Sequence, residues 1–317
     1  MGESPSSSDP DIFTRDVSAS SALGIPSWKK FLLGGAALWV FSLVALLLSR
    51  DVVLYAPVFI LGGFLVPVAI VLLAWSKRVT DSDGTVLTLI RLIIAFVLGG
   101  ALALPVSVLL EYSFADLPSA RLLPIVGVTE VLTNVAVLWV YASRLESYRP
   151  RDGMVFGAAV GFGFAAFETV GLSLTELSQK GVDDLVSVTW QILLRAVFAP
   201  FGHGLWIALV GGALFLSATH SAKLRVTIRL VGWIVVAALL HVWWDYSSGI
   251  ATVVVAAFTG GNPTWSDFNS DWIPGATVHQ AHLSIGLTLI LLIANCLLGT
   301  ILVVRMWRRY QAGNLDS

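Results

Sequence analysis

Charge is scarce in this sequence. Of its 317 residues only 12% are Asp, Glu, Lys or Arg, about half the share of an ordinary soluble domain, while 56% are apolar and mean hydropathy is +0.84. A water-soluble enzyme and a disordered scaffold are both excluded. An excess of either sign is missing too: 19 Lys and Arg stand against 20 Asp and Glu. Without a basic field no nucleic-acid partner is expected. The single cysteine, Cys296, excludes an intramolecular disulfide. No basic stretch leads directly into an apolar core near the start, so no secretory signal is read there.

Long apolar runs are what the sequence has. A helix needs about 20 mostly apolar residues to cross a bilayer core. Eight stretches qualify, at about 31–49, 52–75, 87–110, 122–142, 153–175, 188–217, 228–250 and 283–304. The expected fold is therefore all-α, a polytopic transmembrane helical bundle over residues 29–310. Residues 1–28, rich in Ser, Asp and Pro, read as a disordered tail, with Met1-Gly2 and Ser6 fitting a loose myristoylation pattern. Residues 311–317 form a second short tail. Fourteen of the Lys and Arg residues fall ahead of the first apolar run (Arg15, Lys29 and Lys30), in the loops at 76–86, 143–152 and 218–227, at Arg229 and at the C-terminal end. Only Arg50, Arg121 and Lys180 fall in the opposite loops. The basic side is expected to be cytoplasmic, which puts both termini inside and the loop at 251–282 outside.

Ionisable residues inside spans are costly and mark functional sites by default. Span four carries Glu130, span five Glu168, span six Arg195 and His203, and span seven His241 and Asp245. Counting along straight helices from the outer ends puts Glu130 and His241 about 13–15 Å deep, Glu168 and Arg195 about 10 Å, Asp245 about 8 Å and His203 about 22 Å. Most of them can meet in one cavity in the outer half. His241 and Asp245, four residues apart, share a helix face, so the carboxylate can orient the imidazole. Gly153, Gly157 and Gly161 make a small-residue stripe that admits a close neighbour. Blander readings exist: a buried histidine that is only hydrogen-bonded, and a Glu168–Arg195 pair that is only neutralising. His220, His279 and His282 read as solvated.

Two glutamates, two imidazoles and an aspartate, with no lysine or serine nucleophile among them, suit activation of water. Glu130 is the expected general base. The histidines either stabilise an oxyanion or bind a divalent metal such as zinc, with Glu168, His203 and His241 as the expected ligands and Asp245 the alternative carboxylate. The H-E-x-x-H, G-x-S-x-G and G-x-G-D signatures of other membrane hydrolases are absent.

The stretch from Arg149 and Asp152-Gly153 through the glycine stripe to Phe164 and Glu168 resembles the core of the PrsW family of intramembrane proteases, itself distantly similar to the CAAX prenyl endopeptidases. That family's pattern is an E-E-x-x-K helix, F-x-x-x-E, a Gly-His helix and H-x-x-x-D. Phe164 to Glu168, Arg195 to His203 and His241 to Asp245 follow the last three elements in order, within a protease-like core at 121–248. In the first element Glu130 stands as the second glutamate, Thr129 replaces the first and Thr133 replaces the lysine. The resemblance implies an intramembrane endopeptidase in a bacterial or archaeal cytoplasmic membrane. Its partners would be the lipid bilayer and a single-span or otherwise membrane-anchored protein substrate, cut near the extracytoplasmic face; for the founding members that substrate is an anti-sigma factor. The catalytic set implied is Glu130, Glu168, His203, His241 and Asp245. The 251–282 loop, rich in Trp, Gly and Asp, reads either as a partial cover of the cavity that meets substrate or as an ordinary interfacial loop with aromatic anchors. The alternatives are a catalytically degenerate relative that acts as a membrane-protein or lipid-binding scaffold, and a proton-coupled transporter, against which the lack of an inverted repeat counts.

Overall fold

In hydrocarbon a backbone has no water to bond with, so each apolar run closes its hydrogen bonds within a helix. The computed structural model describes residues 27–81, 86–180, 185–219, 223–261 and 275–313, with 264, 267, 268 and 273 between the last two stretches. Residues 1–26 of the expected 1–28 tail, His220 and residues 314–317 lie outside the described residues, while Ser27 and Trp28 already belong to the start of the first helix. The helices are α1 (Trp28–Ser49), α2 (Tyr55–Asp81), α3 (Leu89–Leu98), α4 (Leu104–Tyr112), α5 (Ser119–Ala142), α6 (Pro150–Lys180), α7 (Leu185–Phe198), α8 (His203–Leu216), α9 (Ile228–Phe258) and α10 (Val278–Gln311). Among the described residues there is no strand, and eight helical segments are long and apolar enough to cross a membrane. Side-chain oxygens start several of them. Ser27, Thr88 and Thr227 each accept from the backbone N–H three residues on, and Thr277 forms a capping box with Gln280.

Three spans depart from simple rods. The third is α3 and α4 joined by a π-turn at Gly99–Ala103, where a side chain on Gly99 would overlap the Val160 carbonyl and one on Gly100 the Phe167 ring. The sixth is α7 and α8 joined by a 3-10 turn at Ala199–Phe201. Pro200 has no N–H to continue the helix and crowds the preceding turn, and Gly202 leaves helical geometry at ψ −112°. The seventh does not stop near 250: α9 continues to Phe258. Gly249 does not end it, because that glycine is packed under the Phe268 ring.

The middle of the bundle is α6. Its glycine stripe meets α8 backbone directly: Gly153 lies against Gly211, Gly157 against Ile207 and Gly161 against His203. By contrast α1 and α10 are peripheral and show Leu33, Phe41, Leu48, Ile290 and Leu297 outward. Polar ties fix the helices around the site. The Tyr246 hydroxyl donates to the Ala120 carbonyl at 2.6 Å, joining α9 to the start of α5. Asn295 of α10 donates from Nδ2 to the Leu240 carbonyl at 2.8 Å, one residue before His241. Interhelical bonds of this kind contribute about 1 kcal/mol in membranes. Asn295→Leu is expected to lower the thermal unfolding midpoint in detergent by a corresponding few degrees; an unchanged midpoint would show the bond to be idle.

Candidate active site

Six helices bring ionisable side chains to one cleft of about 480 Å³, five of them carrying the residues singled out in the sequence. Glu130 comes from the middle of α5, Glu168 from α6, Arg195 from the last turn of α7, His203 from the first residue of α8, and His241 with Asp245 from α9. The break at Pro200–Gly202 explains His203. Counted along a straight helix it would lie well below the others, yet its Nε2 is 3.4 Å from Glu130 Oε2. Restarting the helix at His203 re-aims that side chain into the cleft.

The Nε2 of His241 is also 3.4 Å from Glu130 Oε2. Glu130 thus stands between the two imidazoles, and one donor atom from each of the three residues lies within 4.8 Å of the others. All three residues are buried. Glu130 Oε2 is enclosed and makes no hydrogen bond. Two ligands at about 2.0–2.1 Å from a tetrahedral zinc lie about 3.3–3.4 Å apart. The two imidazole-to-carboxylate separations match that spacing. The residues present fit a divalent metal, and the buried donor set is Glu130, His203 and His241.

Glu168 is placed differently. Its Oε2 pairs with Arg195 Nη2 at 2.9 Å and lies 3.7 Å from His203 Nε2. Arg195 is held from its other side by the Thr169 hydroxyl, at 3.4 Å from Nε. The expected Glu168–Arg195 pair therefore exists, at the edge of the same cluster. Asp245 Oδ2 is 3.4 Å from His241 Nε2. It addresses the same nitrogen that faces Glu130, whereas a carboxylate standing behind a metal-bound imidazole would address Nδ1. The imidazoles are walled by aromatic rings: Phe164 lies 4.6 Å from His203, and Trp206 5.2 Å from His203 and 5.0 Å from His241, between centroids.

Some expected features lie elsewhere. Thr133 does not face the cleft; its hydroxyl donates to the Glu130 carbonyl at 3.0 Å and it lines a groove against the third span. No described residue of the 251–282 loop lines the cleft. The loop instead packs Phe268 on the Tyr246 ring at 5.0 Å. His279 and His282 are exposed, as expected. Glu111, at the end of α4, does line the cleft. It sits one residue past the third apolar run at 87–110, so a search for ionisable residues inside the runs does not reach it. Trp206 and Trp244 also line the cleft, and only the Trp243-Trp244 pair beside His241 hinted at an aromatic wall.

Fold and site together define a polytopic membrane protein with a buried, metal-capable Glu/His/His centre. The family model of the PrsW family intramembrane metalloproteases matches residues 88–262, more than half of the chain, and the chain belongs to that family. The match opens at the third span, one span ahead of the 121–248 core delimited by motifs, and so takes in Glu111. No curated protein and no solved structure matches the chain.

Proposed function

We propose that this chain cleaves a membrane-anchored protein at the floor of the cleft, with Glu130, His203 and His241 holding a divalent metal and Glu168 acting as general base. The observation that carries this is the 3.4 Å spacing of both imidazole nitrogens about one buried carboxylate oxygen. A zinc-like ion bound there would polarise the scissile carbonyl as a Lewis acid.

The chain's own residues supply the rest. Leu104, Val108, Leu123, Val126 and Leu172 wall the cleft with apolar surface suited to a substrate segment drawn from the bilayer. Glu168, more open to the cleft than Glu130, takes the proton of the attacking water and returns it to the leaving amine. Arg195 holds the Glu168 carboxylate in place and adds positive charge beside the developing oxyanion. Asp245, 3.4 Å from the same His241 nitrogen, adds a further carboxylate at the edge of the cluster. The skewed distribution of Lys and Arg supports a site opening to the extracytoplasmic side, and the family resemblance supports regulatory substrates of the anti-sigma-factor kind.

Purified protein in proteoliposomes with a single-span reporter tests the reading. Stripping metal with a zinc chelator is expected to stop cleavage and zinc to restore it. Elemental analysis should find stoichiometric zinc in the wild type and almost none in His241→Ala. Undiminished cleavage by metal-free protein would overturn the proposal.

A further inference from the structure

A second cleft, of about 700 Å³, lies between the first turn of α9 and the last turns of α10. Arg229 enters it from α9, and Arg305, Arg308 and Arg309 enter it from α10. Trp233, Leu302, Met306 and Tyr310 make its floor. Among the described residues no carboxylate lines it.

Two ordinary causes account for basic residues at such a place. Cations complement the carbonyl end of a helix, and basic residues beside spans orient the chain in the membrane. Neither requires four guanidinium groups from two helices to converge on one cleft. Arg305 and Arg308 stand exposed beside an apolar, aromatic floor, where one bound anion can meet both guanidinium groups.

The surface next to the arginines indicates which anion. Leu297, Ile301 and Val304 are all exposed on α10. Arg305 follows Ile301 by four residues and Arg308 follows Val304 by four, so each lies on the same face as its apolar partner. A lipid-facing apolar stripe therefore runs straight into exposed Arg305 and Arg308. That order, hydrocarbon surface and then guanidinium, is the order of a phospholipid from acyl chain to phosphate. Guanidinium groups bind phosphate oxygens in a bidentate fork, and basic pockets between membrane helices take anionic headgroups. We propose that this cleft binds the phosphate of an anionic phospholipid, whose acyl chains lie along Leu297, Ile301 and Val304. The bound lipid bridges α9 and α10 at the end remote from Phe258.

The test uses the full chain, purified and delipidated in detergent. Phosphatidylglycerol is expected to raise its thermal unfolding midpoint and to be retained in native mass spectrometry; phosphatidylcholine at the same mole fraction should do neither. Each arginine contributes about a fivefold factor in affinity. Arg308→Gln should therefore bind phosphatidylglycerol about fivefold more weakly, and Arg305→Gln with Arg308→Gln more weakly still. Arg144→Gln, in another basic loop, should bind like the wild type. Midpoints measured without added lipid establish that the variants are folded, and the single variant serves if the double one is not. Equal stabilisation by phosphatidylcholine, unaltered affinity in Arg308→Gln, or an equal loss in Arg144→Gln would overturn the proposal. So would millimolar inorganic phosphate reproducing the effect, which would mean a site for a free anion rather than a lipid.

Discussion

Glu168→Gln is expected to lower the rate of reporter cleavage by about 10²–10⁴-fold, the usual contribution of a positioned general base, while the protein still inserts and still binds zinc. Glu130→Gln, His203→Ala and His241→Ala should abolish cleavage as well, but with loss of the metal. The split follows from position. Glu130 Oε2 lies between the two imidazoles, 3.4 Å from each, whereas Glu168 is tied to Arg195 at 2.9 Å on the cleft side of His203. Zinc analysis beside single-turnover cleavage reads both effects on the same preparations. Loss of zinc in Glu168→Gln together with full retention in Glu130→Gln would reverse the two roles. Unchanged cleavage in all four variants would remove the site altogether. A wild type that binds single-span proteins without cutting them would mark the chain as a scaffold.

Gly161→Ala is expected to be nearly as damaging, although it touches no ionisable group. A methyl at this position would overlap the His203 carbonyl oxygen, so the first turn of α8 has to move away from α6. Overpacking of this kind costs about 1–3 kcal/mol. A displacement of about 1 Å in a site residue can cost 10²-fold in rate. Thermal unfolding, zinc content and cleavage should therefore fall together. Gly232→Ala on α9, where an added methyl meets nothing within 4 Å, should leave all three unchanged. Wild-type zinc content in Gly161→Ala would show that the α6–α8 contact does not set the position of His203.

The eight spans were legible because the bilayer imposes a simple rule: about 20 apolar residues that satisfy their own backbone make a helix. Their irregularities were less legible. Pro200 and Gly202 signal a break, but the direction in which the chain resumes depends on what α8 packs against. His203 therefore read as too deep by residue count and proved level with Glu130. The end of α9 was missed for a related reason. The apolar run reads as ending near 250, yet the helix continues past Gly249, which is a contact point for Phe268.

Within the site, local relations carried over. His241 and Asp245 share a face because four residues make about one turn. Non-local relations carried over only in part: Glu168 does meet Arg195, at 2.9 Å across two helices. The sequence reading took Glu168 as the carboxylate among the histidines, but the buried triple contains Glu130, and the choice turns on how α5 sits against α8 and α9. Glu111 entered the cleft only when the π-turn at Gly99–Ala103 and the packing of α4 were seen.

The sequence by itself determined that the chain lives in a bilayer, which runs cross it, and which six ionisable residues were too deep to be solvated. These follow from transfer energies and helix periodicity, both local properties. Tertiary structure alone decided which carboxylate stands between the imidazoles, which nitrogen Asp245 addresses, and that four arginines share one cleft. Those are distances of a few ångströms between helices far apart in the chain, set by contacts such as glycine against backbone that no single segment contains.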